Sequence, residues 1–220
     1  MPDTGAVSEQ QPSSPAASPL AAGPVVVGIV LAAGAGRRFG SPKQLAPFEG
    51  RPLLEHALLA MASARRLDSV VVVLGAHADA VLAGVERHGA SAVVCADWDE
   101  GQAASLRTGV AAVAGRADAV VVTLGDQPAV DARAIDRVVD ARDGVSLAIR
   151  ARYGRRAGHP VLLERELFAA VASLRGDEGA RGLMTGAPVR VVACDGLGSD
   201  LDIDTVEELR LSGGGSTPAC

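Results

Sequence analysis

Val25-Val26-Val27-Gly28-Ile29-Val30-Leu31-Ala32-Ala33-Gly34-Ala35-Gly36-Arg37-Arg38-Phe39-Gly40-Ser41-Pro42-Lys43-Gln44-Leu45 sets the architecture of this chain. A short β-branched run bounded by Pro24 and glycines reads as a strand buried on both faces. The glycines after it allow positive φ and turn backbone N–H groups toward an anion, and Arg38 and Lys43 add formal charge. A di- or triphosphate is the ligand such a loop suits. Two better-known phosphate loops do not match. G-x-x-x-x-G-K-[ST] fails because Ser41 follows Gly40 and Gln44 follows Lys43. G-x-G-x-x-G fails because Phe39 stands where the third glycine belongs. The next apolar run ends Leu74-Gly75-Ala76, with no acid to hold a ribose.

Lys43 is the only lysine among 21 Lys and Arg residues. A lone ammonium in an arginine-rich chain suggests a place for a compact charge with rotatable donors, or a chance survivor on a solvated loop.

Outward from this stretch, apolar runs alternate with helical periodicity. Strands are expected at 25–31, 69–74, 91–95, 119–124, 145–151, 159–163 and 189–193. Helices are expected at 53–61, 79–88, 103–114, 132–142, 164–174 and 205–211. This alternation argues for an α/β fold, a Rossmann-like, mostly parallel open sheet with helices on both faces, and places ligands at the carboxyl ends of the strands. Residues 1–24, rich in Pro, Ser, Ala and Gln, are expected to form a disordered tail, 25–211 one domain, and 212–220 a flexible end.

With 48% hydrophobic but 2% aromatic residues, the core must be built from Val, Leu, Ala and Ile. A net charge of −5 without a basic run argues against nucleic-acid binding. No segment is apolar for long enough to span a membrane, and no signal peptide is legible. Cys95, Cys194 and Cys220 are too dispersed for a zinc site or disulfide framework and fit a reducing cytoplasm.

Carboxylates mark the other positions of interest. Asp126 follows the apolar run 119–124 and would face the same crevice as the glycine loop, which makes it the first candidate for Mg2+, an ion that takes one or two carboxylates plus substrate phosphates. In Asp200-Leu201-Asp202-Ile203-Asp204-Thr205 the three acids share one side of an extended segment. Asp202 is the favoured second ligand; Asp204 or Thr205 could simply cap the last helix. Asp99–Gly109 would let a base or ribose approach at Gly101 and Ser105, or is an ordinary helix start. His159, between Gly158 and Pro160, is structural or acceptor-facing. Gly176-Asp177-Glu178-Gly179-Ala180-Arg181 is a surface turn or an acceptor loop.

Together these segments resemble the molybdenum cofactor cytidylyltransferase family. Its L-A-A-G-x-x-x-R-x-G-x-x-K pattern is met by Leu31-Ala32-Ala33-Gly34, Arg38, Gly40 and Lys43. S-L-R-x-G is met at Ser105, Leu106, Arg107 and Gly109, and the acid-proline turn at Gly125-Asp126-Gln127-Pro128. G-H-P-V is met at 158–161, G-D-x-G-A-R at 176–181 and D-I-D-T at 202–205.

The resemblance implies a magnesium-dependent transfer in which a phosphate of the molybdenum cofactor attacks the α-phosphorus of CTP and pyrophosphate leaves. Leu31, Ala32, Ala33, Gly34, Gly36, Lys43, Ser105, Arg107 and Gly109 would bind the nucleotide. Lys43, Arg38 and Asp126 would act on the transfer, Asp126 and Asp202 would hold magnesium, and His159, Asp177 and Arg181 would meet the acceptor. The related guanylyltransferases typically have L-A-G-G, and the Ala33 methyl would crowd a purine, so CTP is favoured over GTP. A transient molybdoenzyme partner is also implied. The alternatives are the same fold with a sugar-phosphate acceptor, a cofactor carrier without turnover, and, disfavoured by the glycine spacing, a nicotinamide oxidoreductase.

Overall fold

A computed structural model of the chain describes residues 23–199 and 201–212. The expected tails, apart from Gly23, Pro24 and Ser212, lie outside the described residues, as does Asp200. The elements run β1 (Val26–Ala32), β2 (Pro47–Phe48), β3 (Arg51–Pro52), α1 (Leu53–Ser63), β4 (Ser69–Leu74), α2 (Ala78–Gly84) and β5 (Ser91–Val94). They continue with α3 (Gln102–Val113), β6 (Ala119–Leu124), α4 (Ala132–Asp140), β7 (Ala148–Tyr153), β8 (Arg156–Glu164), α5 (Phe168–Val171), β9 (Val189–Ala193) and α6 (Val206–Leu211). Seven strands form one sheet in the order β5-β4-β1-β6-β8-β7-β9, in which only β8 runs against its neighbours. The expected mostly parallel open sheet is observed.

β1 is buried at every position, as a central strand covered on both faces must be. Val26 and Val30 face a core with Leu54, Leu58 and Met61 of α1 and Ile135 and Val138 of α4. Val27, Ile29 and Leu31 face the other core, with Leu106 and Val110 of α3 and Val171 of α5. A third small cluster joins Phe39 of the glycine loop to Phe48, Leu53, Ile203 and Leu209. It anchors α6 beside the loop and so brings Asp204 to Lys43 and Arg38.

Several expected bounds shift for identifiable reasons. The strand expected from Val145 begins at Ala148, because Asp143 Oδ1 accepts the N–H groups of Val145 (3.0 Å) and Ser146 (2.8 Å) in a turn that leaves Val145 exposed. The strand expected at 159–163 extends back to Arg156 and forms a hairpin with β7 around Gly154. The helix expected at 164–174 loses its start to β8, where Glu164 ends the ladder and its carboxylate takes Arg142 in a two-pronged ion pair (2.7 and 2.8 Å). Among the described residues no helix is long and apolar enough to cross a membrane.

Candidate active site

The glycine loop leaves β1 and folds back under itself. The Gly36 carbonyl accepts the N–H groups of Phe39 (2.8 Å) and Gly40 (3.1 Å), with Gly36 at φ 62°. A Cβ at Gly36 would lie 2.9 Å from the Ser41 oxygen, so both conformation and space require glycine. A Cβ at Gly34 would meet nothing within 4 Å. Buried Gln44 fixes the loop's base by donating to the carbonyls of Ala32 and Gly34, both at 2.8 Å.

Lys43 stands at the centre. Its Nζ donates to Asp126 Oδ2 at 2.6 Å and to Asp204 Oδ1 at 3.1 Å, and Arg38 Nη2 reaches Asp204 Oδ2 at 2.9 Å. An ammonium has three donors, so one remains for a ligand. Burial pulls the Lys43 pKa down, but Asp126 and Asp204 outweigh it and hold the group above its ordinary value. Asp204 is likewise desolvated, yet Lys43 and Arg38 keep its carboxyl below the usual range.

Asp202 behaves oppositely. Desolvation, together with Asp126 and Asp204, raises its pKa against the hydrogen bond donated by Gln127 Nε2 (2.7 Å). The other Asp126 oxygen, Oδ1, is buried and has no hydrogen-bond partner among the described residues. Such an orphaned carboxylate oxygen fits a hard divalent cation, with Asp202 and Asp204 as neighbouring oxygen donors. Among the described residues, the one trio of metal-capable side chains already converged within 4.8 Å is Glu55, Glu86 and His88. Its atoms are spent on each other, His88 lying 3.3 Å from Glu55 and 3.5 Å from Glu86, and none of the three lines the cleft.

Three contiguous cavities form the cleft. The first lies against Leu31, Ala32, Gly34, Gly36, Arg38, Lys43, Asp126 and Asp204. The second, about 540 Å3, lies between the loop and the start of α3, bordered by Ala33, Trp98, Gly101, Gln102, Ser105 and Asp177. The third, about 340 Å3, is bordered by Gln127, Arg150, His159, Asp177, Arg181 and Asp202. The segment 176–181 divides the last two. The Gly176 carbonyl accepts the Ala103 N–H at 2.9 Å, and a Cβ at Gly101 would lie 2.5 Å from that same oxygen. His159 precedes a cis proline, and burial, helped by Arg150, pushes its pKa down to about 4 against the pull of Asp126.

Two residues expected to contact the nucleotide border none of these three cavities. Gly109 faces the sheet, where a Cβ would lie 2.8 Å from Ile29 Cγ2 and 3.0 Å from Val73 Cγ2, so this glycine serves the close packing of α3. Arg107 turns away from the cleft and ties Glu100 (2.7 Å) to the Leu174 carbonyl (2.8 Å). The helix cap is settled as well. Thr205 caps α6 in a reciprocal pair with Glu208, which leaves Asp204 to Lys43. Gln44, Gln102, Trp98 and Arg150 border the cleft without having been singled out from the sequence. Trp98, the only tryptophan, directly precedes the segment 99–109 and Gln102 lies within it, whereas nothing in the sequence marked Arg150.

A glycine loop at the carboxyl end of β1, facing an acid at the end of β6, defines the nucleotidyltransferase type of α/β protein. A family model described as the MobA-like NTP transferase domain matches residues 28–192, and the chain belongs to that family. It is similar to nicotine blue oxidoreductase of Paenarthrobacter nicotinovorans, 38% identical over 84% of this chain and 95% of that protein. It is also similar to the purine catabolism protein PucB of Bacillus subtilis, 33% identical over 84% and 94%. Among solved structures, Rv0371c of Mycobacterium tuberculosis superposes with a TM-score of 0.78 at 36% identity, covering 87% of this chain and 98% of that one. The same mycobacterial protein has been crystallised in complex with manganese.

Proposed function

We propose that this chain transfers a cytidylyl group from CTP to the phosphate of the molybdenum cofactor, releasing pyrophosphate. The observation that supports the reading best is Lys43 bridging Asp126 and Asp204 beneath the glycine loop while Asp126 Oδ1 stays buried and unpartnered. Lys43 and Arg38 are here already paired with Asp126 and Asp204, so a triphosphate needs further positive charge to enter. A divalent cation held by Asp126 and by Asp202 or Asp204 would supply it, neutralising the triphosphate and the leaving pyrophosphate. The manganese complex of Rv0371c is in keeping with this.

The chain's own residues would do the rest. Loop N–H groups, Lys43 and Arg38 hold the β- and γ-phosphates and stabilise charge as it moves onto pyrophosphate. An oxygen of the acceptor phosphate forms a bond to the α-phosphorus, and the bond from that phosphorus to the bridging oxygen breaks with its electron pair going to pyrophosphate. The nucleophile is already anionic, so no general base is required. Ser105 and Gln102 border the space for ribose and base. Ala33 is buried in the same core cluster as Trp98, and its methyl favours a pyrimidine. The third cavity, with His159, Asp177 and Arg181, takes the acceptor.

The testing experiment is pyrophosphate release with magnesium and molybdenum cofactor, offering CTP, GTP, ATP and UTP separately. Release with CTP alone is expected. Release with GTP would keep the mechanism and overturn the base assignment. A second reading comes from the relative named nicotine blue oxidoreductase, namely an oxidoreductase. Oxidation of a reduced nicotinamide cofactor without pyrophosphate release would favour it.

A further inference from the structure

The third cavity contains a charge arrangement that the nucleotide loop does not. Arg150 lies on β7 at an irregularity in its pairing with β8. Arg150 pairs with Val161, but the next residue, Ala151, pairs with Gly158, so His159 and Pro160 are looped out. Bulges of this kind re-aim side chains next to binding sites. Here Arg150 and His159 border one cavity, and Arg181 reaches it from the segment after α5.

Neither arginine is neutralised. Among the described residues no carboxylate lies within 4.0 Å of either guanidinium, although Asp177 and Asp202 border the same cavity. The Nε of Arg150 is buried with no hydrogen-bond partner among the described residues. Desolvation, and then the nearby charge of Arg181, hold the Arg150 pKa below its ordinary value. His159 is neutral near pH 7 and adds no charge. A half-buried cation facing a like charge and lacking a counter-ion is costly, and nothing in the packing of β7 requires it. A planar guanidinium is, however, suited to paired hydrogen bonds with phosphate oxygens, and two of them match a dianion.

We infer that Arg150 and Arg181 form an anion subsite for a phosphate group of the acceptor, separate from the cations that hold the nucleotide. The inference rests on the proposed entry of an acceptor through this cavity. Arg150 borders neither cavity at the glycine loop, where Lys43 and Arg38 already serve a triphosphate. The pair therefore has a different phosphate to hold.

The test titrates inorganic phosphate into the full-length protein and follows the arginine Nε–H signals by NMR, with the Arg150 signal assigned by its absence in Arg150→Gln. A saturable shift of that signal is expected. Calorimetry should show phosphate affinity falling about tenfold or more in Arg150→Gln and in Arg181→Gln, as loss of a charge-assisted bond predicts, with partial retention in Arg150→Lys. CTP affinity in the presence of magnesium should change less than about twofold. An unmoved Arg150 signal, or unchanged phosphate affinity in both glutamine variants, would overturn the subsite. Equal losses for phosphate and CTP would overturn it too, by assigning the pair to the nucleotide. If Arg150→Gln fails to fold, the exposed Arg181→Gln variant decides. Failure of the wild-type protein to bind CTP would count against the proposed function, while the phosphate titration would still decide the subsite.

Discussion

The two ends of the cleft handle charge in opposite ways. At the glycine loop two of three cations are answered, Lys43 by Asp126 and Asp204 and Arg38 by Asp204, while Arg37 borders the same cavities. At the β7–β8 end, Arg150 and Arg181 face each other with no carboxylate in reach among the described residues. The first end pairs Lys43 and Arg38 with acids and suits a ligand that arrives with a metal. The second has surplus base and suits a bare anion. Two phosphorylated molecules can thus be sorted to their own ends of one cleft by electrostatics before any shape recognition.

The strongest challenge to this contrast is Asp126→Asn. It should remove metal-dependent turnover and weaken manganese binding, measured by calorimetry, by more than about a hundredfold, since even outer-shell contacts are worth about 10–100-fold. Unchanged manganese affinity would move the metal elsewhere. Lys43→Ala comes next. Turnover should fall by about 10²–10³-fold, the cost of removing a preorganised donor aimed at developing charge. A variant of near wild-type rate would leave the acid-rich end without its proposed role.

Gly109→Ala separates scaffold from site. The added methyl should destabilise the fold by about 1–3 kcal/mol through overpacking against Ile29 and Val73, seen in denaturant unfolding, with CTP affinity intact. Loss of affinity at unchanged stability would return Gly109 to the nucleotide. The smallest effect is expected from Asp202→Asn. A carboxyl whose folded pKa is raised opposes folding when ionised, and its penalty fades as pH falls through that raised value. The amide should therefore raise Tm slightly near pH 7, with the gain vanishing in acid, while weakening metal binding. Asp204 has the opposite sign: its lowered pKa stabilises the fold above the ordinary carboxylate range, and this contribution is lost as pH falls through the lowered value.

The fold and the acid-rich end were largely legible in the sequence because their signals are local. A β-branched run read as β1, and glycine spacing with a lone lysine marked the loop. The role of Asp204 was harder to read. Asp204 and Thr205 both looked like caps, and the choice depends on where α6 packs, which Phe39, Ile203 and Leu209 determine from positions far apart in the chain. Arg107 and Gly109 sat within a matched segment, but which face of α3 they occupy follows from packing against β1 and β4. Arg150 was illegible for a different reason. One arginine of 20 in a strand reads as a solvated side chain until the bulge opposite shows where it points.

Trp98 borders the second cavity, and the chain has no other tryptophan and a single tyrosine. Its Cβ lies so close to Gly75 that a Cβ there would come within 2.7 Å of it, which ties the base of the side chain to the end of β4. The protein consequently carries its own optical gauge. A change in its emission, excited at wavelengths that Tyr153 does not absorb, reports what happens at that wall and allows occupancy to be followed in unlabelled wild-type protein.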